Sequence, residues 1–217
     1  MTEYTIQVLN QSGFAKSYVI FQEPPAVISS GADVEVFSNA WVTFPSLLPG
    51  GYDKVIYNDV VEAYWGTIPS QLSPTVVVNS GGFADVDTST QDSVTFQGTS
   101  PIGFGSVTSG LAANTGAYQI VANSDFTAAN NYVFGMAKLG STPIPTPVAT
   151  FLAQPNVTFD VIPVVKFYVS DGCYTEGEII DVKSFSTQSV TIDFTGLPQT
   201  TASIVQAANG SFSVAYS

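Results

Sequence analysis

Apolar and polar residues alternate along most of this chain, the periodicity of strands rather than of helices. In Thr187–Phe194, Val190, Ile192 and Phe194 alternate with Ser189, Thr191 and Asp193, as a sheet with one wet face requires. Similar segments are Tyr4–Leu9, Ser17–Gln22, Val34–Phe44, Lys54–Trp65, Thr75–Asn79 and Ser93–Gln97. Others follow at Ala117–Asn123, Tyr132–Lys138, Val148–Gln154, Val157–Val169 and Glu178–Ser184. Pro49-Gly50-Gly51, Ser80-Gly81-Gly82, Ser170-Asp171-Gly172 and the Pro-rich stretches 23–25 and 142–147 punctuate them. The Gly/Ser/Thr-rich stretch Gly98–Gly116 reads as a long loop or a change of sheet. No long segment carries a helical stripe. The pattern predicts an all-β chain, an antiparallel β-sandwich of jelly-roll or immunoglobulin-like type. No repeat or break in composition divides it, so one domain over residues 1–217 is expected.

The C-terminus offers a definite register. Thr201–Ala208 and Ser211–Tyr216 flank Asn209-Gly210, the preferred pair for a two-residue type I′ turn. Such a turn sets Ala208 opposite Ser211 and Val205 opposite Val214. Val205, Ala207, Phe212 and Val214 then share one face.

Composition removes whole classes of chemistry. The 217 residues include no histidine and no arginine, and one cysteine, Cys173. Ser-His-Asp triads, Cys-His pairs, histidine metal ligands and bidentate arginine clamps are all excluded. Seventeen acids against five lysines leave a net charge of −12, which repels phosphate backbones and anionic membranes. Neither nucleic acid nor a membrane is an expected partner. Charged residues are 10% of the chain, so the surface is mostly uncharged and a homo-oligomer is open to it. The apolar stretches are too short for a membrane span, no secretory signal is evident, and one cysteine permits no internal disulfide. A mature cytoplasmic protein is expected.

Two aromatic segments, Phe37–Phe44 and Tyr57–Trp65, are the candidates for a ligand site. In this reading Trp41 and Trp65 wall the pocket, Tyr64 offers an edge and a hydroxyl, and Glu62 or Asn39 fixes orientation. Aromatic residues fill sandwich cores equally well, and that alternative stands beside it. Carboxylates at Glu62, Glu176 and Glu178 would suit a glycosidase, although acids two apart are also the wet face of a strand. Asp85–Asp92 resembles a calcium loop, but Thr90 and Phe96 stand where glycine and glutamate are required, and no metal site is expected. Cys173 has no cationic neighbour in sequence and reads as inert. The lysines form no basic patch, though a buried one could form an imine or meet a ligand anion.

The segments Tyr4–Gly13, Ser17–Pro25, Asn39–Phe44, Ala149–Asn156 and Ile192–Pro198 together carry a resemblance. The chain resembles, end to end, a family of mostly uncharacterised fungal and bacterial proteins, the pink chromoprotein of oyster mushrooms among them. The resemblance implies a β-sandwich holding a small aromatic chromophore of indolone type without turning it over, hence no enzyme. It transfers no site residue. A cytosolic fungal-type lectin is the alternative, because tryptophan and tyrosine stack on sugars while Asn and Asp bind hydroxyls.

Overall fold

A computed structural model describes residues 2–30, 32–182 and 189–217. The start of the strand expected at Thr187, the end of the one expected at Ser184, and Lys183 lie outside the described residues. Among the described residues the regular elements are strands, with a 3-10 turn at Ala128–Asn130. The all-β, antiparallel-rich sandwich expected from the alternation is what forms.

It forms as four sheets arranged in two facing pairs. The terminal sheet runs Phe212–Tyr216, Thr201–Gln206, Glu3–Asn10, Tyr52–Asn58. Its partner runs Ser189–Asp193, Lys166–Asp171, Lys16–Gln22, Ala40–Leu47. Ile6, Val8, Val55, Ala202 and Ile204 from the first interleave with Ile20, Trp41, Val42, Phe167 and Ile192 from the second in one apolar core. The central sheet runs Phe37–Ser38, Thr146–Leu152, Tyr132–Lys138, Val61–Thr67, Asn79–Val86. It faces a six-stranded sheet of Gly103–Phe104, Ser93–Gln97, Tyr118–Ala122, Thr158–Ile162, Ala26–Ser29 and Ala32–Asp33. Phe96, Tyr118, Phe134, Phe151 and Phe159 fill that second core. Two strand pairs are parallel, Glu3–Asn10 with Thr201–Gln206 and Ser93–Gln97 with Tyr118–Ala122. Met136, Val148 and Ala149 of the central sheet reach into the first core and join the two halves.

Three segments that look like single long strands pass from one half to the other. Val34–Phe44 breaks at Asn39: Phe37–Ser38 pairs with the central sheet, while Ala40–Leu47 pairs with Lys16–Gln22. Lys54–Trp65 breaks at Asn58-Asp59-Val60, where the Asn58 side chain accepts the Val60 N–H at 3.1 Å and closes a tight turn. Val157–Val169 breaks at Pro163, which has no N–H for a ladder. Alternation continues through each corner, so the period alone does not reveal the change of sheet.

The C-terminal hairpin differs from expectation by one residue. Ile204 pairs with Val214 and Val205 with Ser213. The loop is three residues long, with Ala207 and Ser211 closing it, the Gly210 N–H on the Ala207 carbonyl, and Gly210 at φ +84°. This is a type I turn with a glycine bulge rather than a I′ turn. A one-residue slip exchanges the faces of a strand. Ala202, Ile204 and Gln206 therefore point inward and Val205 outward. Buried Gln206 accepts a hydrogen bond from the Tyr18 hydroxyl at 2.8 Å and donates to Asp171, which satisfies a polar group the alternation would have left outside. In Gly98–Gly116, Gly103–Phe104 and Thr108 fold back onto Ser93–Gln97, so the stretch is mostly loop laid on a sheet edge.

Candidate functional site

The residues expected to form a site divide between different environments. Trp41 has no exposed surface. It lies in the first core, 5.3 Å from the rings of Tyr57 and Phe167, and its indole N–H donates to the Lys138 carbonyl at 3.3 Å. Trp65 lies in the second core, 5.4 Å from Phe96 and 6.0 Å from Tyr132. Its indole lies against the backbone of Gly81 and Gly82, where an added Cβ would come within 2.4 Å and 2.8 Å of the ring. The two tryptophans are packing residues of separate cores and do not wall a common pocket.

Asn39 and Tyr64 do come together, with Thr150 between them. Thr150 donates to Asn39 Oδ1 at 2.7 Å, which commits its single proton, so the short bond between Tyr64 and Thr150 must have the tyrosine hydroxyl as donor. Asn39 Nδ2 then donates to the Gly177 carbonyl at 2.8 Å. Burial holds the Tyr64 pKa above its ordinary value, so the hydroxyl keeps its proton. All three side chains are fully buried, and this relay ties the corner at Asn39 together rather than meeting a ligand.

Glu62 stands apart from that relay. Its carboxyl is buried, and burial together with the Asp85 charge pushes its pKa up to about 7, against the pull of Lys138. The carboxylates considered for glycosidase chemistry do not share a strand face. Glu176 sits in a turn and accepts the Thr43 N–H at 3.4 Å, whereas Glu178 accepts the Thr175 N–H at 2.9 Å. The acidic loop likewise satisfies itself. Asp87 takes the Ser89 N–H and hydroxyl, and Asp92 takes the Asp87 N–H and the hydroxyls of Thr90 and Ser109. These donors lower both carboxyl pKa values. No group of acids and cysteine among the described residues is placed to hold a metal. Cys173 is exposed and unpaired.

A cleft of about 510 Å³ opens where the central sheet ends. Phe37, Ile68, Leu72, Tyr132 and Leu152 give it apolar walls, and Gln71, Asn131 and Gln154 stand at its rim. Tyr132 connects it to the aromatic core: its ring is 5.2 Å from Phe96, and its hydroxyl donates to the Gly98 carbonyl at 3.3 Å. Trp65 thus lies one ring behind the cleft wall. Nothing in the alternation marks these residues, because they come from four separate segments at strand ends and in loops.

A family model described as RhiA matches residues 1–217. This chain belongs to the RhiA family. No curated protein and no solved structure matches it. The match runs end to end, as the resemblance read from the sequence does. For this RhiA-family chain, the ligand chemistry must be argued from its own clefts. None of its described helical segments is long and apolar enough to cross a membrane.

Proposed function

We propose that this RhiA-family protein is a non-enzymatic binder of a small, flat, weakly polar molecule. An indolone-type pigment is the ligand its family resemblance implies. The cleft beside Tyr132 carries this reading. Small-molecule sites are typically concave and mostly apolar, with a few placed polar groups. This one pairs an aromatic and aliphatic wall with neutral amides, and its volume of about 510 Å³ suits a molecule of a few fused rings. The net charge of −12 and Glu35 at the rim disfavour an anionic ligand.

Protein purified from its native source should absorb visible light or carry excess mass by native mass spectrometry. Leu152 is 49% exposed at the rim, so Leu152→Glu should leave the fold intact while weakening binding at least about tenfold, or roughly 1.4 kcal/mol. A colourless protein of bare polypeptide mass would overturn the proposal. The rim amides, which make no side-chain hydrogen bonds within the described residues, also suit sugar hydroxyls, so a lectin is the second reading. Glycan-array binding lost in Leu152→Glu would favour it over the pigment.

A further inference from the structure

Asn10 closes the strand Glu3–Asn10 with no exposed surface, and its amide is hydrogen-bonded on every side. Nδ2 donates to the Phe14 carbonyl at 2.7 Å and to the Leu47 carbonyl at 2.8 Å. Oδ1 accepts the Ser12 N–H at 3.0 Å and the Ser12 hydroxyl at 2.7 Å. One buried side chain thus clamps the loop after Glu3–Asn10 to the loop after Ala40–Leu47. What the two loops present to solvent is apolar. Phe14 is 73% exposed and Leu48 67%. The strand register extends the patch onto the outer face of the terminal sheet, where Leu9 stands opposite Val205 on one side and opposite Tyr52, 62% exposed, on the other. Large apolar side chains clustered in water on a fixed frame mark a contact surface.

Charge and backbone chemistry say what that surface meets. The Asn10 clamp, the Gln11 N–H on the Gln206 carbonyl and the Lys16–Asp171 ion pair hold residues 9–16, 46–54, 171–173 and 205–213 at one end of the molecule. Their charged residues are Lys16, Lys54, Asp53 and Asp171, which cancel, so the net charge of −12 lies elsewhere on the chain. The loop backbone is supplied from within as well. The Phe14 N–H reaches Ser12 Oγ at 3.4 Å, the Leu48 carbonyl accepts the Gly51 N–H at 2.9 Å, and Pro49 has no N–H to satisfy. Backbone that leaves water for lipid needs internal partners of this kind. A second copy of the chain fits less well. Phe14, Leu48 and Tyr52 together expose roughly 400 Å², half of the about 800 Å² that each partner of a stable complex buries. The edge strand beside them is also blunted against strand addition, because the Asp53 side chain takes the Lys54 N–H at 2.8 Å. We propose that this end docks on a zwitterionic phospholipid surface, with Phe14 and Leu48 entering the acyl boundary and Tyr52 at headgroup level. Docking of this kind needs no membrane-spanning segment. The surface lies in the other half of the molecule from the cleft beside Tyr132 and does not depend on that reading.

The intact chain is mixed with phosphatidylcholine vesicles and floated on a density gradient. It should rise with the vesicles, and replacing roughly a third of the lipid with phosphatidylglycerol should not strengthen binding, since the net charge is negative. The double variant Phe14→Ser, Leu48→Ser removes exposed side chains, so it should keep the urea midpoint while weakening vesicle binding about tenfold or more. Leu197→Ser, at an exposed leucine in the loop that enters Thr201–Gln206 from the opposite end, should bind as the parent does. Protein that stays at the bottom of the gradient, flotation that requires phosphatidylglycerol, or a double variant that floats like the parent overturns the proposal. Light scattering that shows a dimer lost in the double variant would assign the patch to a second copy, which overturns it too.

Discussion

Replacing Thr150 with valine tests the relay from Tyr64 to Gly177 and the donor directions assigned to it. The substitution keeps the shape of the side chain but removes both hydroxyl bonds. The Tyr64 hydroxyl is left without an acceptor and Asn39 Oδ1 without a donor, both at zero exposure. An orphaned buried group costs about 1–3 kcal/mol, so two that relax partially should cost about 2–4 kcal/mol. Tyr64→Phe is milder, because Thr150 still donates to Asn39 and only an acceptor lone pair is unused; about 0.5–1.5 kcal/mol is expected. For a chain of this length a loss of 3 kcal/mol lowers the melting temperature by roughly 6–12 °C. Urea unfolding gives both free energies. The double variant should cost less than the sum by about 1 kcal/mol, since removing the tyrosine hydroxyl relieves one of the two orphans. If Thr150→Val proves no worse than Tyr64→Phe, or the two add, the relay is not connected as described.

Glu62 predicts a pH dependence whose sign is fixed. Its folded pKa is raised from the ordinary 4.5 to about 7, so the protonated form is favoured by folding. Its contribution is full below about pH 4.5 and is lost as the pH rises through 7. Screening at the edge of the protein reduces the full linkage, leaving about 1–2 kcal/mol. Glu62→Gln should therefore stabilise the protein at pH 8, leave it little changed at pH 4, and flatten the slope between; equal effects at both pH values would refute this. The hairpin register gives a second contrast. Ile204→Asp should cost more than about 4 kcal/mol or prevent folding, while Val205→Asp should stay within about 1 kcal/mol by urea unfolding. The reverse order would restore the two-residue turn.

The alternation located most strands because each sheet keeps one face in a core, and that holds from Tyr4–Leu9 to the C-terminus. It did not separate two halves, since a strand that changes sheet keeps its period while its neighbours change. Asn39 and Asn58-Asp59-Val60 look like ordinary wet-face residues in a row of letters; only the partners of Phe37–Ser38 and Ala40–Leu47 show that a corner lies between. The hairpin register escapes the pattern for a related reason. Asn209-Gly210 serves a glycine bulge as well as a I′ turn, and buried Gln206 is tolerated because Tyr18 and Asp171 bond it. Trp41 and Trp65 suit a pocket by size, but large rings are also what fill two apolar cores, and that is where they lie.

The corners are better guides to chemistry than the aromatic clusters. A chain leaving a ladder frees carbonyls that must be capped, and a buried polar donor has to be placed there. Gln22 and Lys138 are such donors, on the carbonyls of Val164 and Val60 at two of the corners. The cleft lined by Asp59, Val60 and Val61 opens at such a corner, where one strand has stopped covering the sheet and the next has yet to begin. The cleft beside Tyr132 opens likewise among strand ends, between Phe37, Ile68 and Leu152. In a chain with no histidine and no arginine, few side chains can be both buried and reactive. Lys138 does for the Val60 carbonyl what the Gln22 amide does for Val164 beside Pro163, so the corner needs a donor and not a charge.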